Sequence, residues 1–410
     1  MEPKGKLPEE TENFAGGLLR PSSLSPEQEK QDAKAVAILE ACRWKDVEAL
    51  RRLATSQGGL VSDEVRRQAS RVGAACPNIV MKIKYSWTST DPLYITLTAR
   101  HLPPSVTYHN PLTCHRTDQS SSDLLLRKGE LSNLIIEVLR RQPYLCYFQG
   151  YHDICQVFLL VLSPLDRAAA VARLSTLRIR DFMLPTLAPA LAQLRLIPAI
   201  LYAANPRLCT HLSQTQPFFA LSGTLTMYAH DIQEYGDIAR LFDVFLARES
   251  VFSVYMFAQI VLQRSGELFE TPADEPEMLH SILSKLPTPL DLETLIENTA
   301  TLIEMHPPST LMTWRSISQY SVLKTSSYPD QTSNQTLEDG ETYFNRQVKE
   351  LQWTEQREKI LTTIWTYRRP AGAAGLAMLV GVLSFWLRKS SGPSGLYGAI
   401  WRYLSGYQGH

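Results

Sequence analysis

The stretch Tyr147-Phe148-Gln149-Gly150-Tyr151-His152-Asp153-Ile154 is the part of this sequence best supplied with groups that can do chemistry. The carboxamide of Gln149 carries both a donor and an acceptor, so it can orient a water molecule against a phosphate. Gly150 beside it has no Cβ and allows close backbone approach. The same residues also fit a plainer role, a Gln and an Asp satisfying the ends of two helices. Other catalytic patterns are missing: there is no Gly-x-x-x-x-Gly-Lys, no His-Glu-x-x-His and no Gly-x-Ser-x-Gly. His152, His211 and His230 stand isolated, without metal-ligand spacing, and read as satisfied surface or core histidines.

The elements that must position Gln149 are helices. Leu131, Leu134, Ile135, Val138 and Leu139 form an apolar stripe at helical spacing that ends before Pro143. An apolar helix is expected to start near Tyr151, which leaves Gln149 in a short loop between the two. Further helices are expected over 151–163, 165–180, 187–204, 217–229, 236–247, 251–264, 276–285 and 290–304, punctuated by prolines. Upstream, Val36, Leu39, Trp44, Val47 and Leu50 suggest one helix from Glu27 to about Arg52, stopped by Gly58-Gly59. Ser62-Asp63-Glu64 reads as the start of another short helix. Strand-like alternation is nearly absent across 123–321, so the expected fold class is all-α. Residues 1–26 are expected to be disordered, and 27–321 to form the main domain, with 70–122 atypical.

The bulk composition narrows the partners. Lys+Arg and Asp+Glu both count 41, so there is no basic excess of the kind that meets nucleic-acid phosphates. The six cysteines, Cys42, Cys76, Cys114, Cys146, Cys155 and Cys209, are scattered without zinc spacing and read as thiols of a reducing compartment. The first residues contain no apolar run, so no secretory signal is expected.

The C-terminal part reads differently. Residues 322–345 are polar and expected as a linker, and 346–367 as a polar helix. Residues 371–387 carry no charge and are bracketed by Arg368-Arg369 and Arg388-Lys389. As a helix they would extend roughly 26 Å at ~1.5 Å per residue, close to the thickness of a thin bilayer. Trp365, Tyr367 and Trp386 sit where interfacial aromatics belong. A transmembrane helix over 371–387 is therefore expected, with a short tail at 388–410 and the large domain facing the cytosol.

Tyr-x-Gln-Gly-x-x-Asp following a helix resembles the glutamine-finger motif of TBC-domain Rab GTPase-activating proteins. The string Pro143-Tyr-Leu-Cys-Tyr-Phe-Gln-Gly-Tyr-His-Asp-Ile154 is similar to the membrane-anchored, early-secretory members of that family. Further likeness lies in Gly58–Arg67, Leu177–Met183, Phe218–Ser222 and Arg240–Leu246, and the resemblance covers 28–69 and 123–310. It implies a helical TBC domain followed by a linker and a transmembrane helix, acting on Rab-bound GTP at the endoplasmic reticulum or Golgi. It implies that Gln149 is the glutamine finger, entering the Rab site in trans to orient water. Tyr147, Gly150, Tyr151 and Asp153 would support it and bind the Rab. No cofactor or metal of the chain's own is implied, because GTP and Mg are bound by the partner GTPase. The bilayer is the second expected partner, and nucleic acid is not one.

One part of the family pattern is missing. Its arginine finger belongs to an Ile-x-x-Asp-x-x-Arg motif upstream of the stripe helix, and no such motif occurs here. Arg100 and Arg116, with Arg127 just beyond, are the only candidates, and none follows an Asp by three. The family's Trp-Pro is also missing, where Gln68-Ala-Ser-Arg71 stand. Residues 70–122, rich in Pro, His and Thr, hold no helical period. Either the chain is a degenerate homologue or 70–122 is a mistranslated stretch, and its abrupt edges favour the second. A catalytically inactive scaffold that binds a Rab at the membrane is the alternative function.

Overall fold

The computed structural model describes residues 25–74 and 121–390, except the side chains of 73, 74, 121, 122, 329–331, 367–374 and 390. Every regular element among the described residues is helical. Helices of eight residues or more are numbered here. They are α1 (Pro26–Trp44), α2 (Val47–Thr55), α3 (Asp63–Ala74), α4 (Ser121–Arg141), α5 (Tyr151–Val161) and α6 (Pro164–Leu177). Then come α7 (Leu196–Ala204), α8 (Tyr235–Ala247), α9 (Phe252–Gln263), α10 (Pro276–Leu283), α11 (Leu292–Met305) and α12 (Leu337–Ser390). The chain divides into two units, 1–341 and 342–410.

In the first unit α9 is the central helix, packed against α7 and α11. Its Val254, Tyr255, Met256, Phe257, Ile260 and Val261 are all buried, so apolar residues cover most of its circumference. The α4 stripe is buried through Leu131, Leu134, Ile135 and Val138, against α5 and α6. This packing fixes both flanks of the loop that carries Gln149. Arg127 and most of the N-terminal half of α4 face outward.

Several expected boundaries are corrected. The single helix foreseen from 27 to 52 is two, because Lys45 turns left-handed (φ 54°) and Asp46 caps α2 by accepting from the Ala49 N–H at 2.9 Å. α1 buries Ile38 and Ala41, while Val36, Leu39 and Trp44, which suggested the helix, are exposed. The helix expected over 187–204 breaks at Arg195 into Ala188–Leu194 and α7. Pro198 has no N–H to return to Leu194, which removes one bond that would join them. Over 217–229 the chain forms a 3-10 turn at Pro217–Ala220 and a short helix at Leu221–Leu225. Met227 and Tyr228 then turn left-handed, with φ of 51° and 64°.

Residues 322–345 are not a solvated linker. Two short helices, Val322–Thr325 and Pro329–Asn334, precede the start of α12. The buried Asp181 carboxylate accepts from the Ser321 hydroxyl, from the Val322 N–H at 3.2 Å and from the Gln193 amide at 2.7 Å. Arg173 donates to the carbonyls of Thr332 (2.7 Å), Ser333 (3.0 Å) and Gln335 (2.9 Å). Thr336 and Asp339 cap α12 reciprocally. The polar residues that looked like solvated coil are spent on caps and cross-ties.

In the second unit the expected polar helix at 346–367 and the apolar run at 371–387 are parts of one helix, α12. Among the described residues no helix is long and apolar enough to cross a membrane, so the expected span over 371–387 finds no support there. The described side chains of its apolar part, from Leu376 to Leu387, are exposed.

Candidate functional site

Gln149 lies at the surface in the turn between α4 and α5, flanked by a buried residue on each side. Phe148 is buried and packs against the rings of Tyr151 and Phe182, at centroid distances of 5.6 and 6.1 Å. The Cys146 N–H donates to the Met183 carbonyl at 2.9 Å, tying the loop to the 3-10 turn Arg180–Met183. Gly150 follows with φ 102°, a conformation in which a side chain is strained. It is also the N-cap of α5. An added Cβ would stand 2.7 Å from Thr226 Cγ2, so two independent constraints demand glycine here.

The expected supporting residues do come together. Tyr151 is fully buried, its hydroxyl 2.7 Å from Ser175 Oγ, while Ser175 donates onward to the Val171 carbonyl at 2.7 Å. Burial pushes the Tyr151 phenol well above its ordinary range, with the neighbouring Cys155 adding to the rise and the Ser175 hydrogen bond opposing it. Tyr147 is half-buried, edge-on to Tyr151 at 6.1 Å, and its hydroxyl lies 3.2 Å from His152 Nδ1. Asp153 is buried, with Oδ1 3.3 Å from His152 Nε2 and Oδ2 3.1 Å from His230 Nδ1. Next to it, burial raises the Asp231 carboxyl. The Ser222 hydroxyl and His230 pull it back, and Asp153 raises it further.

Two histidines read as isolated are therefore neighbours across one carboxylate. His211 conforms to the plainer reading, with its Nε2 at 2.9 Å from the carbonyls of both Leu268 and Thr271. No group of three potential ligands able to hold a metal ion occurs among the described residues. Sequence reasoning missed His230 and Thr226 as members of the site. No local signal marks them, because His230 and Asp153 are 77 residues apart in the chain.

Of the arginine candidates, Arg100 and Arg116 lie outside the described residues. Arg127 is exposed on α4, and no interaction among the described residues joins it to the Gln149 loop. The Gln149 carboxamide makes no hydrogen bond to another described residue, which leaves both its donor and its acceptor directed to solvent or to a partner.

A second cluster explains two of the sequence strings. Asp243, on α8, accepts from Arg66 Nε and Nη2, both at 2.9 Å, and from the Leu60 N–H at 2.9 Å. Arg240, one turn earlier, grips Glu293 through Nε (2.7 Å) and Nη2 (3.0 Å) and also donates to the carbonyls of Ala54 and Ser56. A Cβ on Gly59 would stand 2.4 Å from Asp243 Oδ2. Gly58–Arg67 and Arg240–Leu246 are thus two halves of one polar clamp that fixes the N-terminal helices to α8.

Residues 112–269 match the family model described as the Rab-GTPase-TBC domain. The chain is 38% identical over 242 residues to "GTPase-activating protein gyp10" of Schizosaccharomyces pombe, covering 57% of this chain and 64% of that one. It is 33% identical over 294 residues to "TBC1 domain family member 20" of Bos taurus, covering 69% and 70%. The protein of the same name from Homo sapiens is 33% identical over 276 residues, covering 65% of each chain. The match to the first of these thus spans a little less than two thirds of its length.

Proposed function

The chain belongs to the Rab-GTPase-TBC family, and we propose that it is a GTPase-activating protein that offers Gln149 in trans to a Rab GTPase of the endoplasmic reticulum or Golgi. The observation that carries this reading is the setting of Gln149. An exposed carboxamide with no hydrogen-bond partner among the described residues stands between buried Phe148 and Gly150, whose left-handed backbone and contact with Thr226 suit only glycine. A rigid loop of this kind can enter another protein's nucleotide site and hold a water in line with the γ-phosphate. Tyr147, Tyr151 and Asp153 serve it by holding the loop.

Positioning water and neutralising transition-state charge are separate tasks. Lacking the family's arginine motif, the chain as it stands should stimulate hydrolysis weakly or not at all. An arginine in trans is worth ~10³–10⁵ in rate, or ~4–7 kcal/mol at ~1.36 kcal/mol per tenfold. The test is single-turnover GTP hydrolysis on a panel of early-secretory Rabs. A chain carrying a family-typical segment over 70–122 should be active, and Gln149→Ala in that chain should remove most of the activity. Robust stimulation by the unmodified chain would mean that Arg100, Arg116 or Arg127 supplies the charge. An inactive graft that still binds a Rab would establish the second reading, a scaffold.

Attachment to a bilayer through 371–387 is part of the same proposal. It is supported by the exposure of Leu376, Met378, Leu379, Val380, Val382, Leu383, Phe385 and Trp386 on one uncharged helical stretch, a large apolar surface that the described residues of its own unit leave uncovered.

A further inference from the structure

Asp153 is a buried carboxylate, and a carboxylate only accepts hydrogen bonds. The nearer of its two histidine neighbours is His230, whose Nδ1 stands 3.1 Å from Oδ2, against 3.3 Å for His152 Nε2 on Oδ1. His230 belongs to a turn that should be costly by itself, since Met227 and Tyr228 are consecutive non-glycine residues at positive φ. Its anchor is Tyr228, fully buried, stacked on Phe245 and Phe257, with its hydroxyl donating to the Ser253 carbonyl at 2.9 Å. The same turn touches the glutamine loop a second time. Thr226 donates to the Ser222 carbonyl at 2.9 Å, accepts from the His230 N–H at 3.4 Å, and lays its methyl against Gly150. The Gln149 loop is thus gripped at Gly150 by Thr226 and at Asp153 by His230. On its other side, His152 contacts Asp153 Oδ1 and the Tyr147 hydroxyl, bracketing Gln149 from before and after.

We propose that His230 is a positioning residue for Gln149, acting through Asp153, in its Nδ1–H tautomer. The proposal rests on the reading of Gln149 as the group offered to a Rab. The His230 side chain is 49% exposed, so its removal takes little from the core. A role confined to bulk stability is therefore separable from a role in holding the loop. Asn carries an amide nitrogen near the place of Nδ1, which makes His230→Asn the conservative counterpart of His230→Ala.

Three measurements on the full chain test this. In spectra of ¹⁵N-histidine-labelled protein at neutral pH, His230 should show the Nδ1–H tautomer, and Asp153→Asn should abolish that preference. Amide exchange over 147–153 should quicken roughly tenfold in His230→Ala, the worth of one charge-assisted hydrogen bond, and return close to the parent rate in His230→Asn. Affinity for Rabs loaded with a non-hydrolysable GTP analogue should fall and recover in the same pattern, while the unfolding midpoint of both variants stays near the parent's. A His230 that averages its tautomers as a free imidazole does, or an exchange rate unmoved by His230→Ala, would overturn the inference. Exchange that quickens while Rab affinity holds would overturn it too, by showing that the contact is structural only. If the parent chain binds no Rab, the proposed function fails, and the tautomer and exchange results alone decide whether His230 holds the loop.

Discussion

The methyl of Thr226 rests against the α-carbon of Gly150, close enough that a Cβ on the glycine would lie 2.7 Å from it. Gly150 also has φ 102°, so substitution meets a backbone penalty and a steric one together. Gly150→Ala should lower stability by about 1–3 kcal/mol and displace Gln149. Adding Thr226→Ser, which removes the methyl, should recover only the steric part. Urea unfolding of the two single variants and the double variant separates the terms, and full recovery would mean that φ carries no cost here.

Tyr151 and Ser175 should respond unequally. Ser175 already donates to the Val171 carbonyl, so in Tyr151→Phe no buried donor is stranded, and the loss should be about 1 kcal/mol. Ser175→Ala instead takes from the buried Tyr151 hydroxyl its 2.7 Å acceptor, leaving only the weaker Cys155 sulfur, and should cost more, about 1–3 kcal/mol. Denaturant midpoints compared across the pair check the asymmetry, and equal losses would refute it.

The hydrogen bonds from Arg240 hold the Glu293 carboxyl below the usual glutamate range, against opposing desolvation and with help from the Gly58 N–H. A depressed folded value stabilises the fold above the unfolded value and loses that contribution as pH falls through the folded one. Stability from this pair should therefore decline on acidification below about pH 4.5. Glu293→Gln should weaken the protein at neutral pH and flatten that part of the acid limb. The effect should be modest, because the Glu293 side chain is 38% exposed. Unfolding free energies at neutral and acid pH decide it, and an acid limb as steep as the parent's would count against the pair.

Arg240→Met removes the same pair from its buried side. It strips the Ala54 carbonyl of its side-chain donor, leaves the Ser56 carbonyl to the Gly59 N–H and Lys34, and loosens α2 from α8, so a loss of about 3 kcal/mol is expected. Amide exchange should rise first in α2 and the Gly58-Gly59 loop. Uniform exchange across the domain would show that the clamp does not hold these helices in particular.

Deleting 368–410 should move the protein from the membrane to the soluble fraction after cell fractionation. The exposed apolar surface of α12 motivates this, since burying it in lipid gains ~25 cal/mol per Å². A truncated protein that stays in the membrane pellet after high-salt and carbonate washing would place the attachment elsewhere.

Much of the helical order was legible because helical spacing is a local property. The α4 stripe and the apolar runs of α8 and α9 announce themselves over a dozen residues. Where sequence reading went astray, a distant partner had decided the outcome. Residues 322–345 look like coil until Asp181 and Arg173 supply their caps. The stretch after Leu225 looks helical until the pocket for Tyr228 forces a left-handed turn.

The sequence by itself determined that Gln149 would stand in a short loop between two helices, next to a glycine, because turn chemistry and helix periodicity act within a few residues. It also carried the strings Gly58–Arg67 and Arg240–Leu246, though not their relation. Only the tertiary structure decided that these strings form one clamp, and that Asp153 faces His230. Charged and polar groups must find partners when they are buried, but nothing in the local pattern says which. That choice is made by how the helices pack.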